Sequence, residues 1–166
     1  MDIIAEARRQ WAKRYSTHSA RGLATVSSFE RAAHILRNGV EEVLTPFGVS
    51  YSQFEVLAVL MWSRAGSMPM SKISSRLQVP PASLTHTVRK LEKDGLITRV
   101  SDPKDKRSTL VMVTDQGIVL ASAAGPALDR YFESIALPAR EQDRVIAAAN
   151  RVRRAAGEDV EGPEAQ

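Results

Sequence analysis

The chain has 166 residues, of which 43% are hydrophobic and only 5% aromatic, and its formal net charge is +4 at pH 7. This apolar content is enough for a core filled mainly by Leu, Val, Ile and Ala, which favours helices over sheet. Cysteine is absent, which excludes disulfide scaffolds, cysteine-based zinc sites and thiol nucleophiles. No apolar run approaches the roughly 20 residues of a membrane span, and the N-terminus lacks the order of a signal peptide. We therefore expect a cytoplasmic protein without a membrane partner.

Two amphipathic helices are predicted at the N-terminus. The first runs from Asp2, a good capping residue, to Tyr15, and the small polar residues 16–22 predict a connection. The second helix places apolar side chains at the i, i+3, i+4, i+7 spacing and ends before Pro46. This stripe comprises Val26, Phe29, Ala33, Leu36, Val40, Val43 and Leu44.

The central part of the chain predicts three more helices. Ser50 and Gln53 have the spacing of a capping box, which opens the first. After a turn over residues 66–69, a short helix spans about residues 71–77. Pro81 suits the first position of the next helix, where its missing N–H costs nothing. The apolar face of that helix is formed by Leu84, Val88 and Leu91.

The pattern then changes to that of a β-hairpin. Residues 96–100 and 108–113 are rich in β-branched side chains, and the polar residues 101–107 have the length of a hairpin loop. A short helix, a tight turn, a second helix and a hairpin together form the plan of a winged helix-turn-helix. In that plan the second helix enters the major groove of DNA and the hairpin loop reaches a minor groove.

The C-terminal part predicts two further helical regions. Thr114 is a good cap for the first, and Gly125 and Pro126 are expected to bend or break it. A second apolar stripe follows Pro138. From Gly157 onwards the chain is acidic and rich in small residues, which predicts a flexible tail.

The helix after Pro81 and the hairpin loop hold most of the candidate DNA contacts. Ser, Thr and His side chains can donate to and accept from base edges, whereas Arg and Lys suit phosphates or guanine. On the loop, we expect Asp105 to hold Arg107 in a narrow minor groove; the alternative is a solvated turn with a weak surface ion pair. The candidates are Ser71, Lys72, Ser83, Thr85, His86, Thr87, Arg89, Lys90, Lys104, Asp105, Lys106 and Arg107.

Residues 79–117 resemble the MarR family of transcriptional regulators, and the order and length of the flanking helices extend this resemblance to about residues 27–156. The residues that carry it are Ser83-Leu84-Thr85, Val88-Arg89, Leu91-Glu92, Gly95-Leu96-Ile97, Arg99, Asp102-Pro103-Lys104-Asp105-Lys106-Arg107, Val113-Thr114 and Gly117. The resemblance implies a homodimer whose N- and C-terminal helices interleave, with one recognition helix per subunit on a palindromic operator in double-stranded DNA.

Two positions depart from the family pattern. Pro80 stands where the family usually has a capping side chain, so the recognition helix begins without one. His86 is unusual on a reading face. A charged His86 would add a phosphate contact and make DNA binding depend on pH; the alternative is an exposed histidine with little role.

The expected fold is mostly α with a small β-hairpin wing: a winged helix-turn-helix with N- and C-terminal dimerisation helices. Residues 1–48 are expected to form N-terminal dimerisation helices and one wall of a ligand pocket. The DNA-binding region is expected over residues 49–114 and the C-terminal dimerisation helices over residues 115–156. The flexible tail is expected over residues 157–166.

The resemblance also implies release from DNA by a small molecule bound between the dimer helices and the DNA-binding lobe. The candidate pocket residues are Trp11, Arg14, Arg31, His34 and Glu55. The alternative is that Trp11 only docks its helix and His34 is a satisfied interface residue. An N-terminal Trp helix is similar to the urate-responsive branch, which pairs the Trp with an Asp and an Arg. Here Glu55 and Thr87 occupy those positions, which disfavours urate but leaves another organic anion open.

We therefore expect a sequence-specific repressor released by an unidentified small molecule. The alternatives are a ligand-independent architectural DNA-binding protein and a winged helix used for protein–protein contacts. An enzyme is not expected, because the three histidines fall on different elements and the sequence has neither a glycine-rich phosphate loop nor an H-E-x-x-H motif. No metal and no other cofactor is expected.

Overall fold

The structure is a computed structural model in which residues 1–103, 105 and 108–160 are described. Within these residues the chain forms seven α-helices, one 3-10 helix and three β-strands. In chain order these are α1 (Ile3–Arg14), α2 (Thr17–Leu44), the 3-10 helix (Thr45–Phe47), α3 (Tyr51–Met61), β1 (Ser67–Pro69), α4 (Met70–Leu77), α5 (Pro81–Lys93), β2 (Ile97–Ser101), β3 (Thr109–Val113), α6 (Asp115–Glu133) and α7 (Ala139–Ala155). The chain divides into two compact units, Met1–Tyr131 and Phe132–Gln166.

Side-chain caps start the first two helices. Asp2 Oδ1 accepts the backbone N–H of Ile4 at 2.9 Å, which confirms the predicted cap of α1. Ser16 Oγ accepts the N–H of Ser19 at 3.1 Å and starts α2 at Thr17. The predicted connection over residues 16–22 is therefore wrong, because Ser16 is itself a good cap and most of that stretch is the beginning of a 28-residue helix.

The core of the first unit lies between α3, α4, α5, the sheet and the buried parts of α2 and α6. Ser50 accepts the N–H of Gln53, and the Gln53 side chain accepts the N–H of Ser50, which confirms the predicted capping box of α3. The predicted apolar face of α5 is also confirmed as buried. The largest fully buried side chains are Leu44, Leu57, Leu60, Ile73, Leu84, Leu91, Ile97, Leu128, Val56, Val88 and Val111.

The small sheet has the strand order β1-β3-β2, and both pairings are antiparallel. In the hairpin, Ile97 pairs with Val113 and Ser101 with Thr109, which confirms the predicted wing strands. β1 pairs with the other edge of β3 at residues that the sequence predicts as a turn. A three-residue strand that ends at a proline is too short to show alternation, and its proline is tolerated because the strand lies at an edge.

Helix α6 is continuous through Gly125 and Pro126, so of the predicted bend or break the break is wrong. A proline inside a helix costs about 3 kcal/mol through one lost hydrogen bond and a clash. The burial of apolar side chains on both sides of Pro126 contributes a stabilising free energy of comparable size, at about 25 cal/mol per Å² of apolar surface. The buried apolar residues of α6 are Ala121, Ala124 and Leu128.

The second unit contains α7, which begins after Pro138 as predicted. Arg153 Nε lies 2.7 Å from Glu158 Oε2, so the chain just beyond the helix is held against its last turn. The predicted flexible tail over residues 157–166 falls partly outside the described residues, which end at Val160.

Within the described residues, no single helix is both long and apolar enough to cross a membrane. The segments Thr17–Phe47 and Tyr51–Met61 reach that length and composition only as a pair, and they meet at a bend of 75°. Leu57 and Leu60 in the second of these segments are fully buried in the core.

Candidate nucleic-acid interface

The turn between α4 and α5 fixes the start of the candidate recognition helix. Gln78 ends α4 with φ +52°, in the left-handed region, and the side chain of Ser74 donates to the carbonyl of Val79 at 2.7 Å. Pro80 then enters α5 in an extended conformation without a capping side chain, as predicted. The backbone N–H groups of the first turn of α5 are therefore left for water or a phosphate oxygen.

Helix α5 presents one buried and one outer face. With Leu84, Val88 and Leu91 in the core, the side chains farthest from it are those of His86, Arg89, Lys90 and Lys93, and all four residues are exposed. The sequence analysis missed Lys93, although its spacing of four residues from Arg89 places it on the same face. This outer face is convex and cationic, the shape and charge that suit the major groove.

The two threonines of α5 lie on its flanks and are half-buried. Thr85 Oγ1 donates to the carbonyl of Pro81 at 2.8 Å, and Thr87 Oγ1 donates to that of Ser83 at 3.1 Å. Their hydroxyl protons are thus used within the helix, which leaves the oxygen as an acceptor and the methyl group for apolar contact. Ser83 and Thr87 also line a cavity against α3, so they lie to the side of the outer face.

Ser71 and Lys72 are exposed in the first turn of α4. Pro69 supplies no side-chain cap there, so backbone N–H groups stay open beside the ammonium group of Lys72. This combination is suited to a phosphate contact.

An ion pair joins α5 to the wing. Arg99 on β2 donates through Nε to Glu92 Oε2 at 2.9 Å and through Nη2 to the same oxygen. The hydrogen bond from Arg99 lowers the pKa of Glu92 below its ordinary value. The pair braces the hairpin against the C-terminal half of the recognition helix, a role that the sequence analysis did not assign.

We expect Arg99→Ala to raise the pKa of Glu92 towards its ordinary value, because the variant loses the hydrogen bond that favours the carboxylate. The stabilisation from this pair is present above the pKa that Glu92 has in the unfolded chain, and it is lost as the pH falls through the lowered folded value. A carboxyl-carbon NMR titration of Glu92 measures this change. Arg76→Ala on α4 is the control, and an unchanged titration in Arg99→Ala would contradict the assignment.

The wing loop is only partly described. The N–H of Asp102 donates to the carbonyl of Ser108 at 3.0 Å, and the N–H of Ser108 donates to that of Asp105 at 2.8 Å, which close the loop. The predicted contacts Lys104, Lys106 and Arg107 lie outside the described residues. The expected orientation of Arg107 by Asp105 therefore stays a prediction.

The predicted pocket residues occupy separate places in the first unit. Trp11 Nε1 donates to Ser19 Oγ at 3.2 Å, and the ring of Trp11 lies 4.6 Å from that of Tyr15 at an interplanar angle of 38°. His34 contacts Asn38 at 3.1 Å, and Arg14 and Arg31 are exposed. Of the five, Glu55 lines the cavity between α3 and α5, whose volume is about 50 Å³. Thr87 lines the same cavity, so the two positions compared with the urate-responsive branch do lie together.

A polar cluster joins α2 to α3 beside this cavity. Arg37 donates to Glu41 Oε1 at 3.2 Å and to Ser52 Oγ at 3.0 Å, and its guanidinium lies 4.9 Å from the centre of the Tyr51 ring. Burial raises the pKa of Glu55, an effect that Arg37 partly opposes. This cluster was not predicted from the sequence, since its contacts between α2 and α3 join residues 10 to 15 positions apart.

Glu55→Gln is expected to increase the free energy of unfolding at pH 7. A carboxyl group whose folded pKa is raised destabilises the fold when it is charged, and a neutral amide removes that penalty. The difference from wild type should shrink as the pH falls and Glu55 takes up its proton. Urea unfolding at several pH values measures it, with exposed Glu42→Gln as the control. A pH-independent difference would show that burial of the charge is not the cause.

Three comparisons with known proteins agree with one another. A model of the MarR family matches residues 49–109. YkoM of Bacillus subtilis, an uncharacterised HTH-type transcriptional regulator, is 36% identical over 84 residues, which are 51% of this chain and 50% of YkoM. Sco5413, a MarR family transcriptional regulator from Streptomyces coelicolor, has 35% identity and a TM-score of 0.76, over 85% of this chain and 99% of that one. Sco3205 from the same organism, solved in complex with DNA, shares the fold at 23% identity and a TM-score of 0.66, over 86% of this chain and 91% of its own.

Helices α4 and α5 with the β2–β3 hairpin form a winged helix-turn-helix, so the predicted fold class is confirmed. The chain belongs to the MarR family, whose members are transcriptional regulators and not enzymes. The match spans about half the length of YkoM but nearly all of the Sco5413 chain.

Proposed function

We propose that this chain is a sequence-specific DNA-binding regulator that acts as a homodimer on a palindromic operator. The observation that carries the proposal is the outer face of α5, where His86, Arg89, Lys90 and Lys93 stand exposed opposite a fully buried apolar face. A rigid helix with that division can enter a major groove while the core holds its orientation. The DNA complex of Sco3205, which shares this fold, supports the same use of it here.

A second copy of the chain is the proposed partner of two apolar surfaces. In the first unit, α2 exposes Phe29, Ile35 and Leu36, with exposed fractions of 42%, 55% and 41%. In the second unit, α7 exposes Val145 and Val152 at 47% and 65%. Monomeric soluble proteins rarely expose large contiguous apolar patches to water. Sedimentation equilibrium should give twice the monomer mass of 18.2 kDa.

We further propose that the regulator is a cytoplasmic repressor and that a small molecule releases it from DNA. The cavity between α3 and α5 is the proposed input, because Ser83 and Thr87 of the recognition helix form part of its wall. Its volume of about 50 Å³ is far below the 300–1,000 Å³ of typical ligand pockets. Binding would therefore require α5 to move from α3, and a ligand with higher affinity for the opened state would shift the helix out of register.

Selection from a random duplex library with the full chain tests the main proposal. We expect enrichment of a palindrome whose half-sites are separated by about one turn of DNA, roughly 10 base pairs. Footprinting should then protect both half-sites. Binding to duplex DNA without enrichment would favour an architectural role, and no binding to duplex DNA would favour a winged helix used for protein contacts.

A further inference from the structure

A groove of about 380 Å³ runs along the side of the first unit, between the end of α3, β1 and α4. We call it the α3–α4 groove. Its lining includes Trp62 and Arg64 at one end, Ser67 on β1, and Lys72 and Arg76 on α4. None of the residues that line this groove belongs to α5, so it is a separate surface from the outer face of the recognition helix.

The α3–α4 groove combines an exposed indole with positive charge. Trp62 is 80% exposed, whereas the protein's other tryptophan, Trp11, is 40% exposed and hydrogen-bonded. Three cations line the groove and no carboxylate does. Within the described part of the chain, Arg64, Lys72 and Arg76 form no ion pair with an acidic residue. An unpartnered tryptophan beside unpaired cations is the composition of an interface anchor rather than of a solvated surface.

We propose that the α3–α4 groove binds an acidic segment of a partner protein, with an apolar side chain of that segment against Trp62. Charge complementarity requires an anionic occupant, because the lining residues carry positive charge only. The flat face of the Trp62 indole offers apolar area, and the cations around it can pair with carboxylates. The groove therefore suits an aromatic or aliphatic residue that is flanked by acidic residues.

The groove shares Lys72 with the candidate nucleic-acid interface, and its Ser67 end lies farther from the wing loop. Strand β3 runs from the wing loop at Thr109 to Val113, and β1 pairs with its far half, with Ser67 opposite Met112. At about 3.3 Å per residue, Ser67 is therefore roughly 10 Å from the wing loop along the strand. The test variants therefore leave Lys72 unchanged, and competition with duplex DNA decides between a protein segment and nucleic acid as the occupant.

The experiment uses the full chain carrying Trp11→Phe, so that Trp62 is the sole tryptophan. The probe is a synthetic peptide of six acidic residues around one phenylalanine, and its binding is followed by Trp62 fluorescence. We expect a saturable change in emission and no change with a peptide in which glutamines and asparagines replace the acids. Adding Arg64→Ala and Arg76→Ala should weaken binding about tenfold, since each exposed contact contributes up to about fivefold.

The matched control removes two exposed cations elsewhere, with Arg8→Ala and Lys13→Ala on α1, and should leave the peptide affinity unchanged. Circular dichroism checks that each variant is folded. Equal peptide affinity in the groove variant and the control would overturn the proposal. So would a response to inorganic phosphate alone, which indicates a small-anion site. Loss of duplex binding in the groove variant, with displacement of the peptide by duplex DNA, would also overturn it and assign the surface to nucleic acid.

Discussion

Gly117→Ala is expected to lower the free energy of unfolding by about 3 kcal/mol, at the upper end of the usual range for overpacking. A Cβ at this position would clash with the carbonyl oxygen of Leu96 and lie 2.9 Å from Val113 Cγ2. The Leu96 oxygen is backbone and accepts the N–H of Thr114 at 3.1 Å, so it cannot move aside without breaking that bond. Thr114 in turn caps α6 by accepting the N–H of Gly117. One methyl group would therefore disturb the junction of α5, the wing and α6.

Urea unfolding of Gly117→Ala beside Gly22→Ala in α2 measures this effect. A Cβ at Gly22 would meet no other part of the fold within 4 Å, and the φ of Gly22 is not in the left-handed region. Alanine in a helix is favoured over glycine by roughly 0.5–1 kcal/mol, so Gly22→Ala should be slightly more stable than wild type. Equal stability of the two variants would show that the close approach to Leu96 relaxes without penalty.

Most of the fold is predictable because the signals that define it are local. The buried face of α5 follows from the spacing of Leu84, Val88 and Leu91, and the capping box of α3 from two residues three apart. The hairpin strands follow from their β-branched composition. In each case residues within one or two turns determine the structure, so no knowledge of distant contacts is needed.

The wrong predictions for β1 and α6 have a common physical cause in contacts between distant residues. β1 is a strand only because Ser67 meets Met112, 45 positions further along the chain. α6 passes Pro126 without a break because Leu128 and its neighbours are buried against other elements. Neither contact leaves a periodic signal in its own segment. Only Ser16 had a local signal, and a polar stretch after it hid the start of α2.

The candidate nucleic-acid interface likewise has features that are predictable from one helix and features that depend on distant contacts. The polar outer face of α5 is predictable from the helix alone, whereas the flank occupied by Ser83 and Thr87 depends on where α3 packs. The Glu92–Arg99 pair crosses the turn after α5, and its partners are seven residues apart. Trp62 stands out in the sequence as an aromatic, but its 80% exposure is a property of the fold.

Removing the three cations of the outer face of α5 has the largest expected effect on DNA binding. If Arg89, Lys90 and Lys93 each contact a phosphate or a base, each loss weakens binding roughly tenfold, because hydrogen bonds to charged groups contribute about 1.5 kcal/mol or more. The triple alanine variant is thus expected to bind duplex DNA about a thousandfold more weakly. Each phosphate contact that is lost should also make the slope of log affinity against log salt concentration shallower by about 0.9.

The salt dependence separates contact from mere attraction between net charges. A control variant with Arg8→Ala, Lys13→Ala and Arg21→Ala loses the same positive charge from exposed positions on α1 and α2. The control variant lowers the long-range attraction to DNA but removes no contact between α5 and the major groove. Its salt slope should therefore match that of the wild type. Fluorescence anisotropy with one duplex between 50 and 200 mM salt measures both variants. If the two slopes fell equally, the outer face would act only through the overall field of the protein, and α5 would not be the recognition helix.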